Sequence, residues 1–338
     1  GLEQYYETYL RGKNGEQKFY IDNVGRISEI ISSTDSVAGD DLYLSIDADL
    51  QKATYLALQN EIAAIVYSNI KSGEIPINDV YTALIGNSVI NTEHFSKAKV
   101  SDTEKNVLSV FKSRQKTTLG KIKQELTSSP EALNTMSDEV LDEFTYIISM
   151  LKDDQVLLKN EIDTSDSVYQ KWKNQKISPK EYLSYCITQH WIDISQLNVD
   201  EKYADSTEVY DALCKYILKN IKTDTEFSKI IYQYMITRGE ISPRQLCLIL
   251  FDQGVLDYDD ATVNKLKNGS LSPRDFLMKK IYNIEITPAQ LALEPCIGSC
   301  VVTDEKTGEI LAMVSYPGYD SNKLANGVDS EYFASLQH

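Results

Sequence analysis

Five serines are each followed three residues later by a lysine, which is a spacing that serine acyl-transfer enzymes use. On a helix, residues three apart lie on the same side, so a lysine amine can take the proton of a serine hydroxyl that attacks a carbonyl group. A chain rich in lysine and serine also produces such pairs by chance, on solvated helix faces. We predict that no pair is catalytic. The pairs are Ser68 with Lys71, Ser96 with Lys99, Ser109 with Lys112, Ser113 with Lys116, and Ser149 with Lys152.

Residue types that bind metals are present but badly spaced for a site. His94, His190 and His338 lie far apart, and none belongs to a His-Glu-x-x-His pattern. The acid-rich segment 252–260 lacks the glycine and the terminal glutamate of a calcium loop, so a helix connection with capping acids is the favoured interpretation. The prediction is that the chain has no metal site and no cofactor.

The five cysteines do not have the pattern of a disulfide framework. Cys186, Cys214 and Cys247 lie in apolar runs of helical character, which predicts buried and unreactive thiols. Cys296 and Cys300 flank a short turn. Pairing or metal binding by these two thiols is a minor alternative, since no second pair of ligands stands at a suitable spacing.

Hydrophobic spacing predicts the elements that position these side chains. Gln17–Ile21 and Leu42–Asp47 suit short strands, and Asp47 is placed to cap a helix that follows it. From about Asp47 to Tyr282, apolar residues recur every three or four positions, which predicts a helical region. Within that region Tyr203, Tyr210 and Tyr216 are predicted to form either a core edge or a partner surface.

One helix-start signal recurs along the chain. Ser or Thr can cap free backbone N–H groups, Pro fits the first helical position, and a preceding Ile or Leu can pack on the first turn. The unequal intervals between these starts favour an irregular helical bundle over a regular repeat. The four starts are Ile177-Ser178-Pro179, Ile241-Ser242-Pro243, Leu271-Ser272-Pro273 and Ile286-Thr287-Pro288.

Period-two alternation returns near the end of the chain. Ser299–Thr303 and Glu309–Ser315 are predicted to be the strands of a hairpin, joined by a polar connection that contains Gly308. Residues 316–322 leave the hairpin as an irregular loop.

The composition describes a globular protein with an acidic surface. The chain has 338 residues, 34 Lys plus Arg, 50 Asp plus Glu, and a net charge of −16. Its length allows roughly two domains, and its charge argues against nucleic-acid binding, which needs clustered basic residues. No apolar run reaches the ~18 residues of a membrane-spanning helix, and no secretion signal begins the chain. We expect any anchor or export signal to lie outside this stretch.

Segments at both ends resemble class B penicillin-binding proteins, and most of all the elongation-type peptidoglycan D,D-transpeptidases. The amino-terminal segments are similar to the family's non-catalytic pedestal, or dimerisation domain, and the carboxy-terminal ones to the start of its transpeptidase domain. Two matches in the correct order are more specific than one short motif. The segments are 1–12 with Gly15, Gly25-Arg26, Gly39 and 44–51, and then 286–295, Gly298-Ser299, 301–304, 306–317 and 319–322.

The resemblance implies an α+β fold, in which a mainly helical bundle is inserted into a small β-containing pedestal and a carboxy-terminal β-hairpin begins a transpeptidase domain. It implies that the pedestal (dimerisation) domain begins at 1–50 and is interrupted by the helical insertion at 51–284. A helical return to the pedestal at 285–296 and the first hairpin and loop of a truncated transpeptidase domain at 297–338 complete the chain. More than two hundred residues of the insertion have no counterpart in the resemblance.

The resemblance also says which catalytic elements to look for, namely Ser-x-x-Lys, Ser-x-Asn and Lys-Thr-Gly in that order. All five Ser-x-x-Lys pairs precede the hairpin, whereas the family's nucleophile follows it, and no Ser-x-Asn occurs. Lys306-Thr307-Gly308 occupies the predicted hairpin turn, so we interpret it as a polar turn. No catalytic, cofactor-binding or metal-binding residue is therefore assigned, and the serine nucleophile is expected beyond residue 338.

The implied role is that of a non-catalytic extracytoplasmic region that positions the transpeptidase domain. The implied partners are peptidoglycan-synthesis proteins, such as a glycan polymerase and the elongation complex, and the resemblance allows for a homodimer. The parent protein would be anchored to the cell membrane by one helix preceding residue 1, with this region on the extracytoplasmic face. We expect no nucleic-acid partner.

Two alternative hypotheses assign the chain to other functional classes. The helical insertion can be an autonomous protein-interaction module that the pedestal merely carries. A hydrolase with an unrecognised site is disfavoured, because no nucleophile, base and orienting group can be named together. For the hairpin we predict that residues 299–315 either pack on the pedestal or are poorly ordered, with the outer edge open to pairing.

Overall fold

The computed structural model describes residues 2–21, 23–24, 26–128, 131–199, 204–324 and 327–336. The predictions made for Tyr203 and His338 lie outside these described residues. The chain divides into two compact units. Unit 1 comprises Gly1–Leu56 with Ser299–Ser315, and unit 2 comprises Ala57–Gly298 with Tyr316–His338.

Unit 1 contains short helices and two antiparallel hairpins. The first hairpin has the predicted strand at Gln17–Ile21 and a second strand that the sequence analysis did not identify. Its register pairs Glu16 with Thr34 and Ile21 with Ile27, with two irregularities between. The elements are α1 (Leu2–Tyr5), α2 (Glu7–Leu10), β1 (Glu16–Ile21), β2 (Ile27–Thr34), β3 (Gly298–Thr303) and β4 (Ile310–Tyr316).

The prediction of a strand at Leu42–Asp47 is wrong, because this segment is irregular in the structure. Tyr43 is 88% exposed and Leu44 is 55% exposed, so the alternation of apolar residues has no buried face to fill. The segment nevertheless leads into the predicted helix. The Asp47 carboxylate accepts the Leu50 N–H at 2.9 Å, and α3 begins at the next residue, Ala48.

Unit 2 is helical, as predicted, and the helix α3 runs into it from unit 1. The two units together make the chain α+β and mainly helical, which confirms the predicted fold class. Its helices are α3 (Ala48–Ser72), α4 (Ile77–Gly86), α5 (Asp102–Thr127), α6 (Asp138–Asp153), α7 (Ser167–Lys173), α8 (Pro179–Thr188), α9 (Ser206–Ile221), α10 (Thr225–Thr237), α11 (Pro243–Asp252), α12 (Asp260–Asn268), α13 (Pro273–Tyr282), α14 (Pro288–Leu291) and α15 (Ser330–Ser335).

The four Ser-Pro and Thr-Pro starts are confirmed. Each Pro is the first helical residue, and each preceding hydroxyl accepts the backbone N–H three residues after it. Two of them, at Ser242 and Thr287, are complete capping boxes in which a glutamine side chain also accepts the N–H of the capping residue.

A common backbone corner ends many of these helices. A residue with positive φ, between 56° and 88°, follows the helix, and the residue two positions later has a buried or half-buried apolar side chain. In seven of these nine corners the N–H of that apolar residue donates to the carbonyl six residues earlier, as Ile241 does to Met235 at 3.3 Å. The residue pairs are Gly73 with Ile75, Ser88 with Ile90, Gln155 with Leu157, Gln175 with Ile177, His190 with Ile192, Gly239 with Ile241, Gly254 with Leu256, Gly269 with Leu271 and Ile284 with Ile286.

The core of unit 2 lies where α4, α5 and α10 meet. Tyr232 of α10 stacks on Phe111 of α5 with ring centroids 4.2 Å apart, and Phe95 meets the same ring edge-on at 5.9 Å. Phe144 and Leu151 of α6 are fully buried. Tyr210 is buried as well, which confirms the core-edge alternative for this tyrosine, and its hydroxyl donates to the Leu126 carbonyl at 2.6 Å.

Candidate functional site

The outer edge of β4 is held within unit 1 by residues that precede and begin α3. The Asp47 N–H donates to the Leu311 carbonyl at 2.9 Å, and the Ser45 hydroxyl donates to the Ile310 carbonyl at 2.7 Å. The Gln51 amide donates to the Met313 carbonyl and accepts the Met313 N–H, both at 2.7 Å. One side chain thus supplies the pair of hydrogen bonds that a neighbouring strand would provide.

This arrangement decides the two predictions made for the hairpin. Residues 299–315 belong to the same compact unit as residues 1–56, so packing on the pedestal is confirmed. Asp47 and Gln51 bond the backbone groups on the free edge of β4. Among the described residues β3 has no strand beside it other than β4, so the edge that stays open, as predicted, is that of β3.

The turn between β3 and β4 contains Lys306-Thr307-Gly308, as predicted. The Asp304 carboxylate accepts the N–H groups of Lys306 and Thr307, both at 2.8 Å, and these bonds lower its pKa. Gly308 has a φ of 76°, a conformation that favours glycine. The three residues therefore build an exposed Asx-type turn.

Close backbone contacts explain three glycines in unit 1 that carry the resemblance. A Cβ at Gly39 would overlap the Leu10 carbonyl, and one at Gly15 would lie 2.9 Å from the Thr34 carbonyl oxygen. Gly12 combines a φ of 66° with a crowded position against the backbone of Val37. The backbone at Gly39 therefore packs directly against the backbone of Leu10 and Gly12, which leaves no room for a Cβ atom.

The first hairpin of unit 1 is an apolar surface, and we call residues 16–34 the pedestal hairpin. Every described residue of β1 and β2 is exposed. Tyr20 and Ile21 are each 62% exposed, Ile30 is 56% and Ile31 is 55%. Adjacent positions of a strand point to opposite faces, so the hairpin presents apolar side chains on both sides. An exposed apolar patch of this kind typically marks an interface.

The five Ser-x-x-Lys pairs lie in the helical region, and all five serines are exposed. Four pairs sit on long helices, one on α3, two on α5 and one on α6, while Ser96 ends a short 3-10 helix. The Ser149 hydroxyl is 3.5 Å from an Asp153 carboxylate oxygen. For none of the five does the structure record a hydrogen bond between the serine hydroxyl and its lysine amine within the described ranges.

The cysteines are all free thiols. Cys186, Cys214 and Cys247 are buried, as predicted, and burial raises the pKa of these thiols to about 12, about 11 and about 12 respectively. A thiol with so high a pKa stays protonated near neutral pH and is a poor nucleophile. Cys296 and Cys300 are half-buried and unpaired, so the disulfide alternative is wrong in this structure.

The histidines are separated in the structure. His94 Nδ1 lies 2.7 Å from the buried Glu104 carboxylate, which also accepts the Gln253 amide at 3.0 Å. Burial raises the pKa of Glu104, but the bonds from Gln253, His94 and Ser101 outweigh it and leave the pKa below its usual value. His190 occupies a helix corner. Across the described residues, no three His, Cys, Asp or Glu side chains form a group that could hold a metal ion.

A buried ionic cluster joins α5, α6 and the end of α10, and the sequence analysis missed it. Arg114 donates to both Glu139 oxygens, at 2.8 and 3.0 Å, and Arg238 donates to the same carboxylate at 3.1 and 2.5 Å. Glu143 is 2% exposed, and burial followed by the nearby Glu139 raises its pKa to about 8. The signal in the sequence was two glutamates four apart on the apolar stripe of α6.

One cavity in unit 2 is lined mainly by polar residues. It has a volume of about 620 Å³ and is lined by Asn87, Asn91, Glu93, Thr225 and Gln290, among others. A smaller one, of about 360 Å³, lies between α6 and α7. The larger cavity includes the Thr225 hydroxyl, which donates to the Glu93 carboxylate at 3.1 Å, and the smaller includes the described residues Ser149 and Lys152, between which no hydrogen bond is recorded. Neither cavity therefore shows, among its described residues, the serine–lysine hydrogen bond sought for acyl transfer. Among the helices of the described chain, none has the length and apolar character needed to cross a membrane.

Comparison with known proteins gives partial matches. Residues 1–44 match the family model of the penicillin-binding protein dimerisation domain. The chain is 34% identical over 108 residues to the peptidoglycan D,D-transpeptidase FtsI of Escherichia coli (strain K12), covering 32% of this chain and 18% of that protein. It is 33% identical over 75 residues to the peptidoglycan D,D-transpeptidase MrdA of Salmonella typhimurium (strain LT2), covering 22% of this chain and 12% of that protein.

The chain thus spans less than a fifth of the length of the curated relatives it matches. No solved structure matches it at a significant level. The matches confirm the resemblance to class B penicillin-binding proteins and to their amino-terminal pedestal region.

Proposed function

We propose that the chain is the non-catalytic extracytoplasmic region of a penicillin-binding protein that cross-links peptidoglycan during cell-wall synthesis. The observation that supports this most strongly is the bonding of Gln51 to Met313, two residues that are 262 positions apart in the chain. In this account β3 and β4 begin the transpeptidase domain. The pedestal residues Asp47 and Gln51 then hold the first strands of that domain in place.

The proposal divides the chain as the resemblance implies. Residues 1–50 open the pedestal, 51–284 form the helical insertion, 285–296 a helical return, and 297–338 the start of the transpeptidase domain. The catalytic serine, its lysine and the Lys-Thr-Gly strand belong to the continuation after residue 338. The chain itself contributes no catalytic group, because Lys306-Thr307-Gly308 is engaged in a turn.

Membrane attachment is included in the same proposal. A single helix before residue 1 would anchor the protein in the cell membrane and keep the pedestal on the extracytoplasmic face. The pedestal would then set the height of the transpeptidase domain above the membrane.

The pedestal hairpin is the surface we assign to partners of cell-wall synthesis. Its apolar side chains on both faces suit burial against another protein. The partners that fit the resemblance are a glycan polymerase, the elongation complex and a second copy of the same protein. The name of the matched family model, a dimerisation domain, supports association between copies.

A fluorescent penicillin tests the division between pedestal and catalytic region. The reagent acylates an active serine transpeptidase, so we expect it to label the protein extended past residue 338 and not the chain of 338 residues. Unlabelled penicillin added first should block the signal. Covalent labelling of the 338-residue chain would refute the assignment of catalysis to the continuation.

The alternative is that the helical insertion is an autonomous interaction module. It is favoured by the compactness of unit 2, which has its own buried core around Phe111 and Tyr232. Limited proteolysis of the whole chain distinguishes the two views. A resistant fragment covering about residues 57–298 supports autonomy, whereas loss of its helicity once the pedestal ends are cleaved counts against it.

A further inference from the structure

A straight row of lysines runs along the exposed side of α5. Lys105, Lys112, Lys116 and Lys123 follow one another at intervals of seven, four and seven residues. At 100° per residue these positions fall within an arc of about 40°, and at 1.5 Å per residue they span roughly 27 Å. All four side chains are exposed. We call these four residues the lysine row.

The packing of α5 fixes which way the lysine row points. Val107, Phe111, Thr118, Ile122 and Leu126 are buried on the opposite side of the helix, against the rest of unit 2. Because five buried residues along the helix hold its rotation, the lysines cannot turn away from solvent. The row is therefore a rigid feature of the fold, although each lysine head is mobile.

The stretch of α5 that carries the lysine row contains no acidic residue. From Lys105 to Gln124 there are six basic residues and no Asp or Glu. This contrasts with the net charge of −16 for the chain. The basic residues are Lys105, Lys112, Arg114, Lys116, Lys121 and Lys123.

Within the described residues, one member of the lysine row has a counter-ion and three have none. Lys105 is bonded to Asp102 at 2.9 Å, but Lys112, Lys116 and Lys123 form no ion pair within the stretches that the structure describes. Glu93 lines the same cavity as Lys112, but the structure records no ion pair between these two described residues, and the Glu93 carboxylate accepts the Thr225 hydroxyl at 3.1 Å.

Two further lysines extend the positive surface at its flank and its end. The Gln115 amide donates to the Lys222 carbonyl at 3.0 Å, which places Lys222 next to the middle of the row. The Lys180 ammonium donates to the Thr127 carbonyl at 2.7 Å and so lies at the carboxyl end of α5. Positive charges at a helix carboxyl end are favourable, so Lys180 is well placed there.

We propose that the lysine row is a docking surface for a linear phosphate polymer outside the protein. An elongated row of unpaired ammonium groups fits a chain of regularly spaced negative charges and gains free energy by releasing the counterions of that chain. Ser109 lies on the same side of α5 and offers a hydroxyl donor to phosphate oxygens.

The surface lacks what two other anionic partners need. Phe111 is the one aromatic residue of α5 and is buried, so no ring is available on which nucleic-acid bases can stack. No large apolar side chain of α5 is exposed, so the helix has nothing to insert into a lipid bilayer. The lysine row would therefore recognise its partner by the spacing of negative charges. This inference does not depend on the proposed cell-wall function.

The test measures binding of inorganic polyphosphate to the whole chain by titration calorimetry at several salt concentrations. With about five lysines in contact, and about 0.7 units of slope per phosphate on a flexible strand, log K should fall against log salt with a slope of about −3.5. The triple variant Lys112→Gln, Lys116→Gln and Lys123→Gln should bind at least about tenfold more weakly, with a slope of about −1.4.

A charge-matched control separates the row from overall charge. The variant Lys159→Gln, Lys265→Gln and Lys267→Gln removes three exposed lysines elsewhere and should bind like the wild-type chain. Glutamine has a helix propensity close to that of lysine, so both variants should keep the wild-type thermal midpoint.

Several results overturn the proposal. These are no measurable binding by the wild-type chain, equal binding by the row variant, and an equal loss in the control variant. Two further arms use vesicles of phosphatidylglycerol with phosphatidylcholine, and single-stranded oligothymidine of the same charge as the polyphosphate. If the vesicles or the oligothymidine bind through the lysine row more tightly than polyphosphate does, the partner is a membrane or a nucleic acid, and the proposal is wrong.

Discussion

Glu143 lies on the buried side of α6, four residues after Glu139, whose carboxylate is already held by Arg114 and Arg238. Burial and the charge of Glu139 both favour the protonated form of Glu143 and raise its pKa to about 8. In the unfolded chain the same carboxyl has a pKa of about 4.3. The folded protein therefore holds a proton that the unfolded chain releases.

This difference predicts the direction of the pH dependence. Between about pH 4.3 and pH 8 the native state binds more protons at Glu143 than the unfolded state, so this group makes the free energy of unfolding fall as pH rises. The variant Glu143→Gln keeps a neutral side chain of the same shape at every pH. We expect it to exceed the stability of the wild-type chain only slightly at pH 5, by about 1 kcal/mol, and strongly at pH 8, by an amount on the order of 4 kcal/mol.

Urea unfolding followed by circular dichroism at pH 5, 6.5 and 8 measures this effect. Glu61→Gln is the matched control, because Glu61 is exposed on α3. It should leave the pH profile of the wild-type chain unchanged. If Glu143→Gln lost stability between pH 5 and 8 as steeply as the wild-type chain, Glu143 would not be the buried group that holds the proton.

At the residue scale, the sequence was sufficient where chemistry is local. The cap at Asp47 and the turn at Asp304 depend on bonds to neighbours two or three residues away, which spacing reveals. The pairing of Gln51 with Met313 could not be predicted, because it joins residues that are distant in the chain. For the same reason, the contact of Arg114 and Arg238 with the Glu139 carboxylate could not be predicted.

At the element scale, several helices of unit 2 end with the same backbone conformation. Glycine occupies the positive-φ position at Gly239, Gly254 and Gly269, whereas other corners hold Gln155 or His190. For a residue with a Cβ, this conformation lowers the free energy of unfolding by about 1 kcal/mol relative to glycine. The corner recurs all the same, because the apolar residue two positions later must reach the core.

A pair of substitutions tests this backbone cost. Gly239 has no atom within 4 Å of the position of an added Cβ, so Gly239→Ala adds strain without a clash. We expect it to lower the free energy of unfolding by about 1 kcal/mol and Gln155→Gly to raise it by up to about the same amount. Urea midpoints give both values. Destabilisation by Gln155→Gly would contradict the shared-corner explanation.

The elements also show where periodicity misleads. The four Pro-led helices carry their start signal in three consecutive residues, and all four were predicted. The segment at Leu42–Asp47 alternates like a strand but has no partner strand, and β2 was missed although its partner β1 was predicted. A strand exists only when its backbone groups are paired, and pairing is not a property of one segment.

At the scale of the whole molecule, the pedestal hairpin predicts association. Ile31 is 55% exposed on β2, and a carboxylate there cannot be buried in an apolar interface without a large cost. We expect the wild-type chain to self-associate in sedimentation equilibrium at high micromolar concentration and Ile31→Glu to remain monomeric. Ser33→Glu, at an exposed polar position of the same strand, is the control for added charge.

The outcome that contradicts this prediction is a wild-type chain that stays monomeric, or one whose association is unaffected by Ile31→Glu. A hairpin used only by another protein of cell-wall synthesis would give the first result. In that case the homodimer would be excluded, while the other partners proposed for the pedestal hairpin would remain candidates.

Segments from both ends of the chain, Gly1–Leu56 and Ser299–Ser315, form one compact unit. Hydrogen exchange of the Asp47 and Met313 amides tests this arrangement most directly, because each donates across more than 260 positions of sequence. We expect both amides to be protected, and Gln51→Ala to speed exchange at Met313 while Gln17→Ala does not. Exchange of Met313 at the rate of an unstructured peptide in the wild-type chain would contradict it.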